Sequence, residues 1–269
     1  MTSPSDRPDA VIALEGAAFG YEDRTVVRDI DLTVSAGEVV AVLGPNGSGK
    51  STLVKGLLGL SELHAGSARV LGHEVGSPGA RAGIGYVPQR HTLASAVRAT
   101  AAEIVTMGRT VRTPWWAPWR IRDAAGRDLV HESLSVVGLA DLATHDVATL
   151  SGGQQRRVLI ARALASRADV FLMDEPTAGV DRGHQAVLVA VMRRLVERGA
   201  TLIIVTHELD ALAEIVTRTI VVRGGGIRQD CAPGELAAGE EAHTHHSGEE
   251  APPPSTVPTT IITSTGGHR

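Results

Sequence analysis

Residues 44–52 have the spacing of a phosphate-binding loop, G-x-x-x-x-G-K-[ST]. They follow the apolar run Val39–Leu43 and precede a helical pattern at 52–60, which is the strand-loop-helix order that such a loop requires. The candidate phosphate-binding residues are Gly44, Pro45, Asn46, Gly47, Ser48, Gly49, Lys50, Ser51 and Thr52. We expect the glycines to turn backbone N–H groups toward phosphate, Lys50 to reach the β- and γ-phosphates of a nucleotide, and the Ser51 hydroxyl to ligate Mg²⁺.

A carboxylate pair, Asp174 and Glu175, follows a second apolar run at 170–173. Side chains at the carboxyl end of a strand in an open α/β sheet lie where ligands bind. Asp174 is suited to hold Mg²⁺, and Glu175 is suited to orient and polarise an attacking water, because phosphoryl transfer depends on positioning and electrostatics. Such a pair by itself is usually a solvated loop, so this prediction depends on the phosphate loop.

A phosphate loop occurs in kinases, GTPases, helicases and transporters, so a further motif must decide among them. Residues 150–154, Leu-Ser-Gly-Gly-Gln, and their continuation to residue 164 resemble the signature sequence of ATP-binding-cassette (ABC) ATPases. Ser151 suits a helix N-cap, and the two glycines after it expose the positive end of a helix to a phosphate group. The alternative is an ordinary capped helix.

The resemblance covers about residues 11–236 and implies an ATPase that binds ATP with Mg²⁺. In the family, the signature of one copy meets the ATP held by the phosphate loop of another, so the resemblance implies a dimer of two copies. The signature residues that it assigns to nucleotide binding are Ser151, Gly152, Gly153 and Gln154. It further implies membrane permease subunits as partners, an extracytoplasmic solute-binding protein as an indirect partner, and a place on the cytoplasmic face of the cell membrane. A non-transport ABC protein and a regulatory module without turnover are alternatives.

Four more residues match family positions one by one. Tyr21 matches the aromatic residue that stacks on adenine, although it also suits packing in a small sheet. Gln89 matches the glutamine that senses the γ-phosphate and Mg²⁺, or it is an exposed loop residue. His207 matches the switch histidine that contacts the γ-phosphate and helps to fix the water, or it is structural. Asp181 matches the segment that crosses the dimer interface, or it caps the next helix.

These side chains need a sheet that brings several strand ends together. The continuous apolar runs at 39–43, 170–173 and 202–205 are typical of buried parallel strands. The alternation of Ile30, Leu32 and Val34 with polar residues predicts a strand of a small antiparallel sheet. We therefore predict an α/β fold of the P-loop NTPase class, an ABC cassette with a mostly parallel core sheet, an N-terminal antiparallel β subdomain and an inserted helical subdomain.

The helical subdomain is expected at about residues 90–167 of an ATPase domain that spans 1–236. One helix carries Leu129, Val130, Leu134 and Val137 on one face and ends at Gly138, and a second begins at Ser151. Residues 237–269 are rich in Glu, His, Pro, Thr and Ser and lose every apolar period, so we predict a disordered tail.

Composition excludes several classes of protein. The 269 residues carry a formal net charge of −4, which argues against a nucleic-acid binder. Cys231, the single cysteine, cannot form an internal disulfide. The first ten residues lack the apolar segment of a secretory signal, and the longest apolar run, at 186–192, is too short to span a bilayer.

The transported substrate is predicted only through subfamily likeness. Residues 84–90 and 103–109 resemble ATPases of zinc and manganese importers, and siderophore, haem and cobalamin importers are alternatives. The segment with Trp115, Trp116 and Trp119 either contacts the permease or the lipid headgroups, or it packs on the helical subdomain. The tail histidines either chelate Zn²⁺ loosely or are merely solvated; they are His243, His245 and His246.

Overall fold

The structure is a computed structural model that describes residues 10–89, 98–113, 116, 121, 123–178, 180 and 182–235. Several predictions fall outside these residues: Asp181, Trp115, Trp119 and the tail. The chain divides into one unit at Met1–Leu236 and another at Ala237–Arg269, and all of the fold below belongs to the first.

The described part of the first unit contains ten strands and six α-helices. The strands are β1 (Ala10–Tyr21), β2 (Arg24–Ser35), β3 (Val39–Leu43), β4 (Glu62–Val70), β5 (His73–Glu74), β6 (Ile84–Val87), β7 (Val170–Asp174), β8 (Thr201–Val205), β9 (Arg218–Arg223) and β10 (Gly226–Cys231). The helices are α1 (Lys50–Leu57), α2 (Pro78–Ala82), α3 (Ala101–Met107), α4 (Ala124–Val136), α5 (Gly152–Ala165) and α6 (Arg182–Glu197). None of the described helices is both long and apolar enough to cross a membrane.

Two sheets form the framework. Six strands lie in the order β10-β9-β3-β8-β7-β6, and all neighbours in this sheet pair in parallel except β10 with β9. The N-terminal strands form an antiparallel sheet in the order β2-β1-β4-β5. The predicted fold class is therefore confirmed.

The six-stranded sheet is covered on both faces, which explains why its inner strands are continuous apolar runs. Along β3, Val40 and Val42 pack into a core shared with the antiparallel sheet and α1. Val39 and Ala41 point to the opposite face, into a core shared with α3, α4, α5 and α6. The alternation follows the two-residue period of a strand.

Three helices, α3, α4 and α5, lie between β6 and β7 in the chain and pack on one another. Helix α4 buries Val130 and Leu134, and Gly138 after it has a φ of 68°, a left-handed conformation that ends the helix. Helix α5 follows the N-cap Ser151, as predicted. The insertion thus separates two strands, β6 and β7, that pair directly in the sheet.

Candidate nucleotide-binding site

The phosphate loop connects β3 to α1 in a conformation that only glycines adopt easily. Gly44, Gly47 and Gly49 have φ angles of 141°, 77° and 110°. A Cβ on Gly44 would lie 2.1 Å from the carbonyl oxygen of Val222, so the loop also packs too closely against the sheet for a side chain there. These two constraints explain the glycine spacing of the motif.

Lys50, the first residue of α1, folds back across this loop. Its Nζ donates hydrogen bonds to the carbonyl oxygens of Gly44 (2.6 Å) and Pro45 (3.0 Å). Burial lowers the pKa of Lys50, and the nearby carboxylates of Glu175 and Asp174 oppose that shift. The ammonium group is thus held between the loop and the carboxylate pair.

Asp174 and Glu175 stand at the carboxyl end of β7, and both are buried. Glu175 has a φ of 51°, which is unusual for a residue with a side chain, and its N–H donates to the carbonyl oxygen of Val205 at 2.8 Å. The pKa of Asp174 is raised by burial and by the charge of Glu175. The cations Lys50, Arg156 and Lys55 oppose that shift. The pair is therefore a concentrated negative charge next to the phosphate loop.

His207 approaches this pair from the neighbouring strand. It lies two residues beyond the end of β8, and its Nδ1 is 2.8 Å from Oε2 of Glu175. The contact is not aligned as a hydrogen bond, and among the described residues this buried Oε2 has no hydrogen-bond partner. The imidazole is 53% exposed, and His207 contacts Glu175 without lining the cleft that contains it.

A single cleft gathers most of the predicted residues. Val26 and Val205 complete its walls, but they were not predicted as site residues. The predicted residues that line it are Asn46, Gly47, Ser48, Gly49, Lys50, Ser51, Thr52, Gln89, Asp174 and Glu175. Because these residues come from the ends of β3, β6 and β7, the parallel sheet is what brings them together.

The chemistry of the cleft fits a nucleotide with Mg²⁺. Two adjacent carboxylates favour a divalent cation, because a cation stabilises the charged form of Asp174, which burial and the charge of Glu175 both disfavour. The buried Ser48 Oγ and Glu175 Oε2 have no hydrogen-bond partner in the described part of the chain. When bound, Mg²⁺ neutralises charge on phosphate oxygens. Among the described residues, no group of three or more His, Cys, Asp or Glu side chains is arranged to hold a metal ion.

The signature residues lie elsewhere. Ser151 Oγ accepts a hydrogen bond from the Gln154 N–H (3.3 Å), and Gln154 Oε1 accepts one from the Ser151 N–H (2.9 Å), so the two residues form a capping box at the start of α5. A Cβ added to Gly152 or Gly153 would meet nothing within 4 Å. None of these residues lines the cleft that holds Lys50. This exposed helix end is therefore not part of the cleft within one chain.

Tyr21 lies at the end of β1 and also does not line the cleft. The residue is 39% exposed, and the Nζ of Lys55 lies 5.6 Å from the centre of its ring. Tyr21 is thus not a core residue of the antiparallel sheet, and its ring is accessible to a ligand.

Arg156 was not predicted from the sequence; it is a charged residue buried between the loop of Gln89 and the loop of Glu175. A signal was present in the sequence, because Arg156 stands in the apolar stripe of α5 with Ile160 and Ala163, at helical spacings of four and seven. A lone arginine in such a stripe predicts a buried polar contact rather than a solvated face.

Comparison with known proteins identifies the family of the chain. Residues 27–178 match the family of ABC transporters. The manganese transport system ATP-binding protein MntB of Halalkalibacterium halodurans is 34% identical over 79% of this chain and 82% of its own length. The zinc transport system ATP-binding protein TroB of Treponema pallidum is 34% identical over 78% and 77%, and the hemin import ATP-binding protein HmuV of Rhodococcus jostii is 32% identical over 88% and 80%.

Among solved structures, a metal-chelate type ABC transporter in an inward-facing conformation has a TM-score of 0.73 with 26% identity, over 88% of both chains. The fold and the cleft define an ATP-binding P-loop ATPase. The chain belongs to the ABC transporter family, in which it is an ATP-hydrolysing subunit that drives transport.

Proposed function

We propose that this chain powers the import of a divalent metal ion, manganese or zinc. The observation that carries the proposal is the 34% identity to MntB and TroB, whose names assign them to manganese and zinc transport. The segments at 84–90 and 103–109 resemble the ATPases of such importers. They lie on either side of residues 98–102, where the described part of the helical subdomain begins.

In this proposal, the cleft holds ATP and hydrolyses it. The phosphate loop and Lys50 bind the phosphates, while Ser51, Gln89 and Asp174 hold Mg²⁺ directly or through water. Glu175 orients and polarises the attacking water. His207, whose Nδ1 lies 2.8 Å from Oε2 of Glu175, contacts the γ-phosphate. The shared lining of the cleft supports these roles for all of these residues except Gly44, Pro45 and His207.

Two copies of the chain act together in this proposal. The N-terminus of α5, where a Cβ on Gly152 or Gly153 would meet nothing within 4 Å, supplies positive partial charge to ATP bound by the other copy. Tyr21 stacks on the adenine, since its ring is accessible. Asp181, which lies outside the described residues, is proposed to cross the interface.

The chain is proposed to bind integral-membrane permease subunits at the cytoplasmic face of the cell membrane. A solute-binding protein outside the membrane would deliver the metal ion to the permease, and nucleic acid has no part in the cycle. ATP binding closes the dimer, the helical subdomains move through Gln89, and hydrolysis at Glu175 reopens the dimer.

A second candidate substrate is a metal chelate such as haem, a siderophore or cobalamin. The 32% identity to HmuV over 88% of the chain supports this candidate, as does the structural likeness to a metal-chelate type transporter.

The test is uptake of radioactive zinc and manganese under metal limitation, in cells that lack this chain and carry either the wild type or the Glu175→Gln variant. We expect only the wild type to restore uptake of one of the two metals. Normal uptake of both metals without the chain would contradict divalent-metal import. Restored uptake of haem or a siderophore instead would select the second candidate.

A further inference from the structure

Arg156 lies in the second turn of α5 and is among the largest fully buried side chains in the described part of the chain, with 1% of its surface exposed. Burying a guanidinium group is costly unless its charge and its N–H groups find partners. The partners of Arg156 therefore indicate what this position contributes.

Its hydrogen bonds run to two different loops. The Nε donates to the carbonyl oxygen of Pro176 at 3.1 Å, and Pro176 directly follows Glu175. The Nη1 donates to the carbonyl oxygens of Gln89 (2.8 Å) and Pro88 (3.3 Å). One planar group therefore joins the loop of the proposed catalytic carboxylate to the loop of the proposed γ-phosphate sensor.

The electrostatic surroundings point the same way. Burial lowers the pKa of Arg156, and the carboxylates of Glu175 and Asp174 oppose the shift. The cation is thus stabilised electrostatically by the same carboxylate pair that opposes the pKa shift of Lys50. The rigid fork of arginine can serve two loops at once, whereas the single ammonium of a lysine is a point charge on a flexible stem.

The helix that carries Arg156 also carries the signature. Ser151 caps α5, and Arg156 follows within the same continuous helix. Any shift of α5 that brings its N-terminus to a nucleotide on another copy must also move the Arg156 backbone.

We propose that Arg156 is a positioning residue, which fixes the Gln89 loop and the Glu175 loop relative to each other and couples both to the position of the signature helix. The inference rests on the proposed roles of Gln89 and Glu175. It assigns to the second turn of α5 a part in hydrolysis that involves no contact with ATP.

The test compares Arg156→Lys and Arg156→Met with a matched control, Arg157→Met, in the purified full chain. Arg157 is the next residue of α5, and its Nη1 hydrogen bond goes to the carbonyl oxygen of Val137 at the end of α4 (3.0 Å). Steady-state hydrolysis of Mg-ATP gives kcat, and titration with a non-hydrolysable ATP analogue gives the dissociation constant. Thermal unfolding of each variant gives its folded fraction.

We expect both Arg156 variants to lower kcat per folded molecule by about tenfold or more, because loss of charge-assisted hydrogen bonds releases the two loops. The dissociation constant should stay within about twofold of the wild type, since the phosphate loop does not depend on Arg156. The Arg157→Met control should stay within about twofold in both quantities. If Arg156→Met fails to fold, Arg156→Lys, which keeps the charge, decides the question.

A wild-type kcat in Arg156→Lys, or a loss no larger than that of Arg157→Met, would overturn the inference. So would a loss of nucleotide binding as large as the loss of kcat. Glu175→Gln is measured in parallel, because wild-type turnover in that variant would refute the proposed role of Glu175 itself. Loss of turnover in Glu175→Gln, with no effect at Arg156, would refute only the positioning role.

Discussion

The two halves of the proposed ATP site are built in opposite ways. The phosphate-loop half is a cleft in which Lys50 from the start of α1 meets Asp174 and Glu175 from the end of β7, and all three are partly or fully buried. The signature half is an exposed helix end, where Ser151 and Gln154 form hydrogen bonds with each other and a Cβ on either glycine would meet nothing within 4 Å.

The difference shows what each half requires. The first half is assembled by folding, because the strand ends of the parallel sheet fix it within one chain. The second half presents backbone N–H groups and a helix dipole but does not line the cleft, so in the proposed function it acts only when a second copy brings ATP to it. The predictions below test this division of roles.

The largest effect is expected from Glu175→Gln. The amide cannot take a proton from water, so kcat for ATP hydrolysis should fall by about a hundredfold or more. ATP binding should persist, because Lys50 and the phosphate loop are unchanged, and size-exclusion chromatography with ATP should show a stable dimer. The control is Glu208→Gln, whose carboxylate is half exposed and lies 3.7 Å from the other ring nitrogen of His207. Equal activity of both variants would contradict the role of Glu175.

A mixing experiment tests the division between two copies. Lys50→Ala damages the first half, and Gly153→Asp places a carboxylate where the γ-phosphate is expected, although an acidic residue in the first turn suits the helix itself. Each variant alone should lose most of its hydrolysis, whereas a mixture should regain part of it, because mixed dimers contain one site with both halves intact.

The control for this experiment is Gly153→Ala, since a Cβ at this position meets nothing within 4 Å. Its activity should stay near that of the wild type. A mixture without any recovery would show that both halves of a working site come from the same chain.

The smallest effect is expected at the edge of the first half. Tyr21→Ala should weaken ATP binding by about tenfold, because base stacking on an aromatic ring contributes roughly 1–3 kcal/mol. Tyr21→Phe keeps the ring and should bind ATP like the wild type in equilibrium titrations. Equal losses in both variants would assign the effect to the hydroxyl, and no loss in either would exclude stacking.

Sequence patterns predicted the elements that have the same kind of surroundings along their whole length. The apolar runs of β3, β7 and β8 identify strands buried on both faces, and the glycine spacing of the phosphate loop identifies its turn. Strands β6 and β9 were not predicted. β6 has only four residues, among them Gly85 and Tyr86, and β9 begins with Arg218 and Thr219, so neither strand has a long apolar run. Pairing of β6 with β7 and of β9 with β3 fixes their positions in the sheet.

The candidate site divides along the same line. Lys50 was predicted because it lies in a recognisable glycine loop, and Asp174 and Glu175 were predicted because they follow an apolar strand. In each case the side chain itself carries the chemistry. Arg156 was missed because its partners are backbone carbonyls of residues 67, 68 and 20 positions away, and carbonyl positions have no residue type to mark them.

The sequence by itself determined the family, the fold class and the residue types of the cleft, because periodicity and glycine spacing are local properties. The tertiary structure alone decided which of these residues meet. Pairing of β7 with β8 brings His207 to Glu175, and the fold of the helical subdomain leaves the signature away from the cleft. Such contacts depend on the packing of distant segments, and no local pattern in the sequence encodes them.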